Sequence, residues 1–380
     1  NNISLTNDEI LSFEIMLNSV LKSCDTIEEY SNQSNKRRHI KGFRPDRSDN
    51  LYNAWYWKSN LKIKNDGLLK NISYGIKNPI CVNGMPMLLG LGDDSYIPDF
   101  DATIVSNILK EGGMILGKTN ASDGLGLDDD DSISPFAVIK NPINKNHTTG
   151  GSSSGNAAAL SNNEVDVCIG TDQGGSIRIP AAWTGVYGLR PSFGLVSYSG
   201  IVSSEMTMTV AGPMSKSVEL IALTMNAISG KDKKDPRQRG IRIKKSDFTK
   251  DLNIHIKDLK IGKVLNGFNI HYNNIHRLPK SDNLLDDKAN KILSKIKLDV
   301  SILDDIVIND HDYAIHVFYS IYNEGNTDIV NCNGVGTNYF GEYYPSLMEA
   351  YGKNWRGKEN DFSAARKSKL LFHYFLRYIK

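Results

Sequence analysis

Gly150-Gly151-Ser152-Ser153-Ser154-Gly155 and Asp172-Gln173-Gly174-Gly175-Ser176-Ile177-Arg178-Ile179-Pro180 are the two stretches from which the fold can be read. Both are dense in glycine and serine, as flexible linkers are. Apolar runs interrupt and follow them: Ala157 to Leu160, Val165 to Ile169 and Ile177 to Trp183. A flexible linker has no reason to carry such segments. Residues 148–200 therefore read as packed structure, in which glycine lets backbone approach backbone or a ligand.

Outward from this centre the chain alternates helix and strand. Asp101 to Glu111 predicts a helix, with Ile104, Val105, Ile108 and Leu109 at helical spacing and Gly112-Gly113 as its stop. Met114-Ile115-Leu116 predicts the buried strand that follows. Ile72 to Ile80 reads as a strand broken by Pro79, 217–228 as a helix ended by Gly230, and Ile261 to Leu265 as another strand. Residues 8–30 read as a helix on which Ile10, Phe13, Met16, Leu17, Val20 and Leu21 recur. Further helices are expected at 283–298, 311–325 and 361–379, the last with the apolar stripe Leu370, Leu371, Tyr374 and Phe375. Residues 35–39 read as a basic surface loop and Trp55-Tyr56-Trp57 as a packing cluster. Asp128 to Asp131 read as a solvated acidic loop without the ligand spacing of a calcium site. Residues 231–260 are polar and charged, the weakest part of the chain for order. The alternation over the middle predicts an α/β layered domain, 67–380, preceded by an N-terminal helical segment, 1–66.

Composition narrows the function classes. The chain has 380 residues, enough to bury a large core without metal or disulfide staples. Its 45 Lys+Arg nearly balance 43 Asp+Glu, unlike the basic excess of a dedicated nucleic-acid binder, so no nucleic-acid partner is expected. No stretch reaches the roughly 18 apolar residues of a membrane span, so no membrane partner is expected either. The chain starts at Asn1 with no signal-like pattern and reads as a processed product or a fragment. Cys24, Cys81, Cys168 and Cys332 are scattered, which reads as reduced thiols in a cytoplasmic compartment. HExxH and Cys/His clusters are absent. No metal or cofactor is expected, and a hydrolytic base, if there is one, is not histidine.

The residue types at 172–180 suggest chemistry. Two adjacent glycines let consecutive backbone N–H groups point at one place, and such a nest holds an anion. An attacked amide carbonyl becomes an oxyanion, and a serine at the end of the nest is placed to attack it. Its base would be a lysine whose pKa is lowered by burial or a cationic neighbour. The same residues also suit a glycine-rich packing turn with a capping serine, and types alone leave both readings open.

Taken with Gly185-Val186-Tyr187-Gly188-Leu189-Arg190-Pro191-Ser192, the two stretches resemble the amidase signature family. Gly75-Ile76-Lys77 with Val82-Asn83-Gly84-Met85-Pro86 resembles its lysine strand, and Gly212 to Val218 resembles a further family stretch. Ala54-Trp55-Tyr56, Asp172 to Ser176 and Gly230 to Gln238 look most like the enantioselective amidases found with nitrile hydratases. The resemblance covers nearly the whole chain and implies a large mixed twisted sheet covered by helices on both faces. It implies an amidohydrolase that cleaves a small-molecule carboxylic acid amide to the acid and ammonia through an acyl-enzyme. Ser176 matches the nucleophile, Ser152 the bridging serine after a cis peptide bond from Gly151, and Lys77 the base. The amides of Gln173, Gly174, Gly175 and Ser176 match the oxyanion hole. Gly151, Ser153, Asp172 and Arg178 match supporting positions, with Asp172 orienting the loop and Arg178 expected to pair with a buried carboxylate or with carbonyls.

The sequence departs from the family in three places. Asn78-Pro79 follows the lysine where members commonly carry Asp without Pro, which is expected to shift Lys77 slightly. Leu91 stands where a small polar residue is usual. The chain ends at Lys380, where members run on, so the family's C-terminal part is expected to be missing. The resemblance thus keeps two other readings: a weak or inactive amidase-fold protein with a binding or structural role, and an amidotransferase A-type subunit. Homodimers, common in the family, are allowed for.

Overall fold

A computed structural model describes residues 5–32, 37–88, 95–121, 133–134, 137–202, 207–244, 246–254, 261–264, 283–296, 302–306 and 317. The predicted helices 311–325 (Val317 apart) and 361–379, the acidic run 128–131 and Leu91 lie outside these residues. The described chain falls into two compact units, one within Asn1–Ser246 and one within Asp247–Asn323.

The first unit opens with α1 (Asn7–Asn32) and two strands, β1 (Gly42–Phe43) and β2 (Trp55–Leu61). There follow β3 (Ser73–Lys77), the short pair β4 (Met87–Leu88) and β5 (Ser95–Tyr96), α2 (Thr103–Lys110) and β6 (Met114–Thr119). Next come β7 (Ile133–Ser134), β8 (Ala137–Val138), α3 (Ser154–Ser161), β9 (Val167–Asp172) and α4 (Arg178–Thr184). The unit continues with β10 (Tyr187–Gly188), β11 (Val210–Ser215), α5 (Val218–Ile228) and a 3-10 turn at Pro236–Gln238. The second unit holds β12 (Ile261–Val264), α6 (Asn283–Ile296) and β13 (Ile302–Ile306), its two strands parallel.

Seven strands of the first unit form one mixed sheet in the order β1-β2-β6-β3-β9-β11-β10. Its centre is parallel, with β3 between β6 and β9, and its flanks are antiparallel. All five residues of β3 and all six of β9 are buried, as strands covered on both faces must be. The residues 42–61 add two sheet strands that the sequence reading did not assign, and the Trp55–Tyr56 pair packs as expected, both rings buried.

Helix α3 explains the small residues after the serine loop. Gly155 sits where an added Cβ would stand 2.4 Å from the carbonyls of both Ala54 and Asn120. Ala157, Ala158 and Ala159 then enter the core with Trp55, Ile177 and Met214, so the helix lies close against the sheet. α5 starts as its sequence requires, Ser217 Oγ accepting from the Leu220 amide at 3.1 Å.

Part of the stretch 231–260 departs from the expectation of weak order. Asp235, Arg237 and Gln238 are buried, and Arg237 Nε donates to Asp235 Oδ1 at 3.1 Å. Gln238 Nε2 donates to the carbonyls of Gly194 and Gly230. Polarity misled because every one of these groups finds a partner inside, which makes burial tolerable.

Lys118, on β6, is fully buried and donates from Nζ to the Ile80 carbonyl. Burial disfavours its charged form and pushes its pKa down to about 7, against a smaller opposing influence of Cys81. Between about 7 and 10.5 the unfolded chain therefore binds one proton that the folded chain does not. Folding stability from this group rises with pH through that window, by about 1.4 kcal/mol per pH unit. Folding free energies from urea unfolding at pH 8 and pH 9 should rise more steeply with pH in the wild type than in Lys118→Met, by about this slope, the buried thiols of Cys81 and Cys168 acting in the opposite sense in both proteins.

Candidate active site

Parallel pairing sends the C-terminal ends of β3, β6 and β9 to one edge of the sheet, where ligands of α/β proteins commonly bind. Lys77 is the last residue of β3, and Thr171 and Asp172 are the last two of β9. The register sets Ile76 level with Ile169, which brings Lys77 alongside the end of β9. Lys77 is 2% exposed. Its Nζ lies 2.7 Å from Ser152 Oγ and 2.9 Å from Thr171 Oγ1. Pro79 leaves β3 to end at Lys77, and Asn78 turns inward, its Oδ1 accepting from the Leu88 amide at 2.9 Å.

The serine loop enters α3 through Ser153, and the peptide bond Gly151–Ser152 is cis. The Ser153 amide donates to the Ser176 carbonyl at 3.1 Å, which ties the loop to the second glycine stretch. Ser152 and Ser176 are both half-buried, and Ser153 is buried.

Asp172 organises the second stretch. Its side chain is fully buried and accepts from the amides of Gly175 (3.0 Å), Ile177 (3.1 Å) and Arg178 (3.4 Å). Arg178 completes the shell with Nε and Nη2, each at 3.0 Å, and Arg190 Nε stands 3.3 Å away. Burial alone would raise the Asp172 carboxyl, but the hydrogen bonds and charge of Arg178 with the Ile177 and Arg178 amides hold it below the usual carboxylate range. The expected pairing of Arg178 with a buried carboxylate is thus found, and the carboxylate is Asp172. Gly175 adopts φ +134°, a conformation open to glycine, and its amide is occupied by Asp172. Of the four amides expected in the nest, those of Gln173, Gly174 and Ser176 have no such bond to Asp172.

Two further features carry information the sequence reading did not use. Thr171, on the neighbouring strand β9, accepts a hydrogen bond from Lys77 Nζ, and its place beside Asp172 was the only signal. Gln173 Nε2 is buried and has no hydrogen-bond partner among the described residues. Among those residues no three His, Cys, Asp or Glu side chains converge as metal ligands would. A cavity of about 760 Å³ lined by Phe43, Trp55, Lys58, Leu116 and Glu164 contains none of the predicted site residues.

A lysine at a parallel strand end thus meets a serine that follows a cis peptide, beside a glycine-rich turn that carries a second serine. The family model Amidase matches residues 19–357, and the chain belongs to that family. Among curated relatives, the A-type subunit of glutamyl-tRNA(Gln) amidotransferase from Sulfolobus acidocaldarius is 33% identical over 301 residues, 78% of this chain and 60% of the relative. Among solved structures, the corresponding amidotransferase protein of Thermotoga maritima has a TM-score of 0.63 at 24% identity, over 83% of this chain and 65% of that one. The peptide amidase of Stenotrophomonas maltophilia has a TM-score of 0.59 at 25% identity, over 80% and 64%. The chain thus spans about three fifths of the length of these proteins.

Proposed function

We propose that the chain hydrolyses carboxylic acid amides to the acid and ammonia through Ser176, Ser152 and Lys77. The observation that supports this most directly is the 2.7 Å contact of Lys77 Nζ with Ser152 Oγ, between residues 75 positions apart. Neutral Lys77 takes a proton from Ser152 as Ser152 takes one from Ser176. Ser176 Oγ then attacks the carbonyl carbon, a C–O bond forms, and the π pair moves to the carbonyl oxygen. The amides of Gln173, Gly174 and Ser176 stabilise that oxyanion, with Gly175 supplying the turn. The proton returns through Ser152 to the leaving nitrogen, the C–N bond breaks, and ammonia departs. Water hydrolyses the remaining ester on Ser176 by the same relay. Gly151 and Ser153 keep the serine loop in place, and Asp172 with Arg178 keeps the nest in place. The free thiols Cys81 and Cys168 fit the cytoplasmic location expected from the sequence.

A serine-reactive fluorophosphonate tests this reading. The label is expected on the peptide that contains Ser176. A chain that stays unlabelled there, while still folded, supports a binding or structural role instead.

The identity to A-type amidotransferase subunits favours one second reading, in which the same relay releases ammonia from glutamine within a larger assembly. Hydrolysis of simple amides by the isolated chain supports the first reading. Release of ammonia from glutamine only in the presence of partner proteins supports the second.

A further inference from the structure

The turn that carries Ser176 runs into α4 without a break. The Ile179 amide donates to the Gly175 carbonyl at 2.7 Å and the Ala181 amide to the Ile177 carbonyl at 3.2 Å, each four residues back as in a helix. Positions three and seven residues on from Ser176 therefore share its face, and they hold Ile179 and Trp183. Ile177 and Ala181, on the other side of the helix, belong to the core. Exposure grows along the stripe: Ser176 and Ile179 are half-buried, and Trp183 is 51% exposed.

Both glycine stretches lie against this stripe. A Cβ at Gly175 would stand 2.6 Å from Ile179 Cδ1, and one at Gly150 would stand 2.9 Å from both Ile179 Cγ2 and Trp183 Cε3. Ile179 thus sits between the serine loop and the nest, and the indole of Trp183 rests on Gly150, two residues before Ser152. Helical side chains lean towards the N-terminus, which turns the indole back along the stripe towards Ser176. An apolar track that starts at a nucleophile and ends on an open aromatic ring is a place for a ligand.

We propose that Trp183 is the far wall of the acyl subsite and that it selects amides whose acyl chain ends in an aromatic ring. The assignment rests on the amide hydrolysis proposed above: with ammonia as the leaving group, the acyl chain is the substituent that can occupy the track. Seven helical residues rise about 10 Å, and the backward lean of the indole shortens that reach. A phenyl ring set two or three methylenes from the carbonyl carbon then meets the indole while the carbonyl lies at Ser176. Ile179 covers the methylenes, and the pair of rings adds its own attraction to the apolar burial. An acetyl group ends short of Trp183 and gains nothing from it.

The test uses the full chain with 4-phenylbutanamide and acetamide. Trp183→Ala is expected to lower the ratio of kcat/KM for 4-phenylbutanamide to that for acetamide by at least about tenfold, with the loss in KM, and Trp183→Phe to restore most of it. A second readout needs no turnover. In Ser176→Ala, 4-phenylbutanamide is expected to quench tryptophan fluorescence, and the quench is expected to vanish in Ser176→Ala/Trp183→Phe, which still binds the amide by calorimetry. Quench at Trp183 without hydrolysis of either amide by the wild type keeps the subsite and removes the hydrolysis. A ratio indifferent to Trp183→Ala, a quench that survives Trp183→Phe, or binding of 4-phenylbutanamide with no quench overturns the proposal.

Discussion

Ser176→Ala is expected to lower kcat/KM for any amide the chain hydrolyses by at least about a thousandfold. Alanine removes the only atom of the site proposed to bond the carbonyl carbon. It leaves the backbone of the second glycine stretch intact, since that backbone is held by Asp172 and by the Ser153 amide on the Ser176 carbonyl. Substrate and competitive inhibitors should therefore bind the variant nearly as well as the wild type. Steady-state ammonia release and inhibitor titration measure the two effects separately. Turnover near the wild-type rate in Ser176→Ala would remove this serine from the mechanism.

Lys77→Ala is expected to lower kcat by about a hundredfold to ten-thousandfold, the range of a lost general base. The relay starts from neutral lysine, so the dependence that this base gives to wild-type activity should be a rise with pH. The variant should lose that rise along with its rate, and a pH–rate profile of the residual activity separates this from a packing defect. Lys77 is buried and bonded to the hydroxyls of Ser152 and Thr171, so its removal also leaves both hydroxyls short of a partner. Such losses cost about 1–3 kcal/mol where the groups stay buried. Lys77→Met fills the space but leaves the same two hydroxyls without the amine, so urea unfolding of both variants measures the stability loss beside the rate loss. A variant with a wild-type pH profile would mean that another group starts the proton transfer.

Much of the centre of the fold was legible in the residues. The periodicity of Ile104, Val105, Ile108 and Leu109 marks α2, and all four side chains are buried. The apolar run 165–169 anticipates β9, and the strand read at Ile72 to Ile80 became β3 over Ser73–Lys77 once Pro79 had removed a ladder donor. Two kinds of segment escaped. β1 and β2 are short or irregular, and β2 meets β6 through register shifts, so no clean alternation announces them. The turn at Pro236–Gln238 is buried although charged, because Asp235 and Arg237 neutralise each other inside the unit.

The finer likeness to enantioselective amidases rests on a few short stretches. The identity to A-type amidotransferase subunits extends over 301 residues, and it is why the glutamine reading is kept beside simple amide hydrolysis.

By itself the sequence nominated Lys77, Ser152 and Ser176, through the likeness of the stretches that carry them to those of one family. Only the tertiary structure decided how they share the work of holding it. Thr171 joins Ser152 on Lys77 because parallel pairing of β3 and β9 ends both strands at one edge. Asp172 takes the Gly175 amide, and pairs with Arg178 and Arg190, because a carboxylate with no access to water must have every lone pair answered by a donor. Those partnerships depend on which strand ends meet in space, and the spacing of residues along one chain does not state that.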